Sequence, residues 1–184
     1  SAPVGVAVVP QENLISLPGD QDYILPVAFA NHLENADQLN ITITDSLGWY
    51  SGNNTFTVAV ENFEYSNVAL TFNPISSQSN INMVKIKAVS QNNQDLTSEV
   101  KIYFVPESNI INLENLSLAE TNILDTESGP FQIGDEIIIG HGLANEETAT
   151  IADFGSIILE NPLRFSHAAG ERIFTVSNLY TSAN

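Results

Sequence analysis

Leu39-Asn40-Ile41-Thr42-Ile43-Thr44 and, further on, Thr55-Phe56-Thr57-Val58-Ala59-Val60 decide the fold class. Apolar and polar residues alternate at each step, the period of two that gives an extended strand one buried and one wet face. The same texture continues on both sides. Upstream, Val4, Val6 and Val8 alternate with Gly5, Ala7 and Val9 until Pro10 stops the run, and Tyr23–Ala30 is mainly apolar. Pro26 inside that second run predicts an edge strand or a bulge, because proline cannot donate to a central ladder. Downstream come Val68–Phe72, Met83–Val89 and Val100–Val105, which closes before Pro106. Turn residues separate the runs: Pro18-Gly19-Asp20, Ser51-Gly52-Asn53-Asn54, Asn73-Pro74 and Gln91-Asn92-Asn93. The expectation is an all-β sandwich of about seven short strands.

Two motifs carry a resemblance. Pro18-Gly19-Asp20 leads into the strand at Tyr23–Ala30 and the turn at Asn31, and Ile86–Asn93 precedes Ser98-Glu99-Val100-Lys101-Ile102. In these, residues 14–106 resemble the immunoglobulin-like or fibronectin-III-like modules of secreted bacterial and archaeal surface proteins. The motifs are structural, so the resemblance implies a fold and a habitat and no activity.

Val105-Pro106-Glu107-Ser108-Asn109 reads as a hinge. Beyond it, Phe131–Gly140 predicts a strand pair, and Thr148–Ala152 and Ser156–Glu160 flank the turn Asp153-Phe154-Gly155. Pro162-Leu163-Arg164-Phe165 and Ala169-Gly170 then lead into Ile173–Val176. That order, with Gly134-Asp135, Glu147-Thr148 and His167 in it, is similar to small β-modules of secreted and phage-structural proteins. Leu113–Leu124 alone has spacing that fits a helix, and it fits a strand nearly as well. The expected organisation is an N-terminal strand or arm over 1–12, an immunoglobulin-like β-sandwich over 13–106, and a smaller β-barrel or β-sandwich over 107–184.

Charge sets the function classes. Twenty-two carboxylates face five basic side chains, giving a net charge of −17 on 184 residues. The field around such a chain repels nucleic acid and anionic membrane and gathers cations. With 43% hydrophobic residues there is ample material for a core. The absence of cysteine excludes disulfides, thiolate metal sites and a thiol nucleophile. No apolar run reaches the ~20 residues that span a bilayer. The start at Ser1-Ala2-Pro3 fits a removed signal peptide and hence secretion to an extracellular or cell-surface setting. Asn40-Ile41-Thr42, Asn53-Asn54-Thr55 and Asn115-Leu116-Ser117 match glycosylation sequons, a weak signal in an Asn- and Thr-rich chain.

No catalytic set stands out. His32, His141 and His167 lack metal-ligand spacing, and each reads as structural, His141 in an exposed turn between Gly140 and Gly142. No serine sits in a nucleophile elbow and no phosphate-cradling loop is present. Calcium is the better ion, because hard cations collect oxygens near turns; Asp20, Asp22, Asp135, Glu136, Glu146 and Glu147 are its candidate ligands, assembled from several loops or between subunits. Trp49-Tyr50 is the tight aromatic pair that would stack on a sugar, although a lone Trp in such a sandwich is more often core or loop anchor. The N-terminal run, with Val4, Val6, Val8 and Val9 on both faces, fits either a first strand or an arm donated to a neighbouring copy. The leading expectation is a non-enzymatic subunit of an extracellular prokaryotic filament, tube, sheath or surface layer, built from copies of itself. The alternative is a carbohydrate-binding accessory module; a non-catalytic fragment of a secreted hydrolase ranks third.

Overall fold

A computed structural model of the chain describes residues 5–17, 19–75, 81–127 and 129–177, and it divides into two units between Phe104 and Val105. In the first unit the alternating runs become β1 (Val6–Pro10), β2 (Leu14–Ser16), β3 (Tyr23–Asn31), β4 (Asp37–Asp45), β5 (Thr55–Val60), β6 (Tyr65–Phe72), β7 (Asn82–Ser90) and β8 (Thr97–Val105). They form a three-stranded sheet in the order β1-β3-β6 and a five-stranded sheet in the order β2-β8-β7-β4-β5. Inward side chains of both sheets share one core, with Leu25, Val27, Phe29 and Phe72 from one and Leu39, Ile41, Ile86 and Phe104 from the other. This is an immunoglobulin-like β-sandwich. β4 shows why its sequence is so readable: its residues alternate between buried and exposed over almost its whole length.

Two expectations are corrected here. β1 is no free arm: it pairs antiparallel with β3 of its own sandwich, from Val6↔Asn31 to Pro10↔Val27. Val6 and Val8 are buried in the shared core while Val9 is 54% exposed, so the valines on the two faces are divided between core and solvent. Val4 lies outside the described residues. β3 is also not an edge strand, since β1 and β6 flank it. Pro26 is tolerated there because its carbonyl, and therefore its nitrogen, faces the β1 side where that ladder ends; the Gln11 N–H donates to Pro26 O at 2.9 Å.

In the second unit a short 3-10 turn, Glu107–Asn109, precedes β9 (Ile110–Asn112), β10 (Ile123–Leu124), β11 (Glu136–Ile139), β12 (Glu147–Phe154), β13 (Ile157–Leu159) and β14 (Arg172–Thr175). Their order is β10-β13-β12-β11-β14-β9. The two end strands are drawn together where the Glu114 N–H donates to Asp125 O (3.2 Å) and the Thr126 hydroxyl to Asn112 O (3.1 Å). The sheet therefore curls into a small barrel-like unit around Leu124, Phe131, Ile137, Ile139, Ile151, Leu159 and Ile173. Leu113–Leu124 is neither a helix nor a full strand; only its last two residues are β10. Of the strand pair expected over Phe131–Gly140, only β11 forms, because Gly134 takes φ +90° in a turn between Phe131 and the strand.

Candidate functional site

The sequence candidates are placed as follows. Asp45 accepts the N–H groups of Leu47, Gly48 and Tyr50 at 3.2, 3.0 and 2.6 Å, folding the loop that carries Trp49. Trp49 is 2% exposed and packs edge-on against Phe104 with ring centroids 5.7 Å apart. The indole is therefore core, the more frequent of the two roles expected of it, while Tyr50 is partly exposed and leans on Phe72. The six carboxylates considered for calcium do not converge. Asp22 accepts from Asn73 Nδ2 (2.6 Å), Asp135 accepts the Gln132 N–H (2.9 Å), Glu146 pairs with His141, and Glu147 is buried. Asp20 and Glu136 are exposed. Among the described residues no group of three or more His, Asp and Glu is arranged to hold a metal.

The second unit contains a cluster that the sequence did not announce. His167 is fully buried, with Nε2 2.7 Å from Glu147 Oε1 and Nδ1 2.6 Å from Glu171 Oε2. Glu147 also accepts the N–H groups of Arg164 (2.9 Å) and Phe165 (3.2 Å). Asn145 Nδ2 bridges Glu171 Oε1 (2.8 Å) and the Ser166 carbonyl (2.9 Å). His167 and Ser117 exchange both backbone hydrogen bonds, at 2.8 and 2.9 Å. Gly140, at φ +66°, approaches so closely that a Cβ would sit 3.0 Å from Glu171 Oε2. Burial, the largest single influence, pushes the Glu171 carboxyl up. Hydrogen bonds from Asn145, His167 and the Ala168 N–H, with the His167 charge, together hold it below the ordinary carboxylate range.

Both ring nitrogens of His167 are occupied and the ring is sealed from water, so it has no nitrogen left for a substrate. The cluster staples the Ser117, Asn145–Glu147 and Arg164–Glu171 segments. Its chemistry is that of a satisfied buried polar network that fixes one arrangement of loops. His141 is also less open than its glycine neighbours suggested: its side chain is 8% exposed, against Phe174 and Glu146.

The surface is more informative. On the solvent face of the three-stranded sheet, the register aligns Ala7–Ala30–Tyr65, Val9–Ala28–Asn67, Pro26–Ala69 and Ile24–Thr71. β1, β3 and β6 contain no Asp, Glu, Lys or Arg, on a chain of net charge −17. Val9, Ile24 and Tyr65 are 54%, 61% and 63% exposed. The outer face of the five-stranded sheet is opposite in character: it holds all three lysines of the chain, with Lys85 opposite Lys101 and Lys87 opposite Glu99.

With this geometry in hand, three solved structures are similar in shape. The ASH or PapD-like domain 7 of human CEP192 aligns at a TM-score of 0.36 and 10% identity, over 56% of this chain and 86% of its own. A CARDB domain from Pyrococcus furiosus, in complex with di-metal ions, aligns at 0.35 and 12%, over 55% and 86%. The YadV chaperone aligns at 0.38 and 11%, over 96% and 88%. At these scores none of them bears on function. No protein-family model and no curated protein matches the chain.

Proposed function

We propose that this chain is a non-enzymatic structural subunit that packs against copies of itself in an extracellular assembly. The observation that carries this reading is the uncharged outer face of β1-β3-β6. Copies with a net charge of −17 repel wherever carboxylates meet within a Debye length of about 8 Å at physiological salt. They approach at least cost across a face that has no charge. Ten residues of three adjacent strands cover roughly 300 Å² at ordinary strand spacings, within the size range of patches that are often functional. The lysine-bearing sheet adds a second support, since it offers each copy a cationic surface for the acidic surface of another.

Electron microscopy of concentrated protein at 0.05 and 0.5 M sodium chloride, with and without millimolar calcium, tests the reading. Ordered particles that increase as salt or calcium neutralises the carboxylates are expected. A dispersed monomer in all conditions contradicts the proposal.

A further inference from the structure

We infer that two copies join edge to edge through β6, antiparallel about Asn67, into one continuous six-stranded sheet. The inference rests on the self-packing reading and specifies its contact. Among the described residues β6 ends the order β1-β3-β6, so one of its sides has no strand neighbour there. At its far end that side is occupied: the Ser51 N–H donates to Thr71 O (3.0 Å) and the Asn73 N–H to Trp49 O (2.7 Å). These bonds fix the phase. Odd-numbered residues of β6 direct N–H and C=O outward, and even-numbered ones ladder with β3. Tyr65, Asn67 and Ala69 thus present their backbone groups to the open edge, in a window closed at Thr71 by the Ser51 segment.

A two-fold axis at Asn67 makes this window its own complement. Asn67 meets the partner's Asn67, and Tyr65 meets the partner's Ala69, a large side chain beside a small one. One step further out the strand ends on both sides: Phe63 lies in the turn closed by the Glu64 N–H on Glu61 O, and the place opposite Thr71 is held by Ser51 of the same copy. Phe63 also holds a left-handed backbone at φ +57°, a conformation that costs a bulky residue energy within its own subunit. The acid adjoining β6 in the chain is Glu64, and its two copies lie about 20 Å apart along the paired strands, six residues at about 3.3 Å each, well beyond the Debye length of about 8 Å. The other long edge facing this one is blunted differently. On β1, the Val8 N–H is taken by Ser98 Oγ (3.1 Å) and Pro10 has no N–H to offer. A β6 pair alone buries less than the roughly 1,200 Å² of a standard stable interface, so the contact is of the weak, concentration-dependent class.

Asn67→Asp and Asn67→Lys test the register, because an exposed position on the axis faces itself. Sedimentation equilibrium is run on wild type, on each variant and on an equimolar mixture of the two, with far-UV circular dichroism confirming the fold. Each variant alone is expected to self-associate at least about tenfold more weakly, since like charges meet. The mixture is expected to recover, because Asp then faces Lys. Ala69→Pro, which removes an outward N–H without touching the β3 ladder, is expected to weaken association equally. Asn67→Lys associating more tightly than wild type overturns the inference, since that is the effect of lowered net charge alone. A mixture no tighter than its components also overturns it. Wild type that associates while ignoring all three substitutions refutes the β6 contact and leaves the self-packing reading standing. Wild type that never associates refutes both.

Discussion

Glu147→Ala removes the acceptor on which the staple of the second unit depends. Three donors lose their partner: the N–H groups of Arg164 and Phe165 and the Nε2 of His167, all now within 3.2 Å of the carboxylate. Glu147 is 7% exposed and His167 fully buried, so water cannot reach in without opening the loop. Stranding one partner of a buried pair costs about 3–5 kcal/mol, and each orphaned backbone donor adds about 1–3 kcal/mol. A unit the size of Val105–Leu179 has roughly 4–11 kcal/mol of stability in total. The substitution is therefore expected to leave the second unit barely folded or unfolded in water. Urea titration reads the two units separately. Trp49, the sole tryptophan, is in the core of the first unit, so its fluorescence reports that unit alone. Far-UV circular dichroism reports both. With a slope of about 1 kcal/mol/M for so small a unit, the dichroic transition of the second unit should fall by at least about 3 M or vanish while the fluorescence transition holds. A fall of less than about 1 M, or a parallel fall in fluorescence, refutes the assignment of the staple.

Other perturbations follow from the same contacts. Trp49→Ala should cost about 3–5 kcal/mol in the first unit by opening a cavity beside Phe104, seen as a lower melting temperature for that unit. Glu171 sits below its ordinary value of 4.5 when folded, so its contribution is fully present above that pH and is lost as pH falls through its lower folded value. Melting temperatures of wild type and Glu171→Gln should thus differ at pH 6 and converge towards pH 3. Phe63→Gly should relieve the left-handed strain, leaving thermal stability unchanged or raised by up to about 1 kcal/mol.

The strands of the first unit could be read because each buries one face, which writes period-two alternation into β4, β5 and β7. β1 could not be assigned in the same way. Valines on both faces suit a donated arm and a first strand equally, and only the pairing with β3 separates them. Trp49 was legible as core or loop anchor, and what places it there is Asp45, whose three backbone bonds fold the loop that carries the indole. The His167 staple joins residues twenty apart to a glutamate at i+4, and no helical or strand period marks such a set. A local signal did exist in Asn145-Glu146-Glu147 and His167 with Glu171, polar residues in a run of apolar strands. The uncharged sheet was also legible in principle: Tyr23–Asn31 and Tyr65–Phe72 hold no charge, but only the register puts them side by side.

Sedimentation equilibrium of the wild-type chain across a wide concentration range, at 0.15 and 0.5 M salt, tests self-packing most directly. The average mass should rise above 20.0 kDa with concentration, and rise further at the higher salt where carboxylate repulsion is screened. A mass that stays at 20.0 kDa at every concentration and both salts contradicts it.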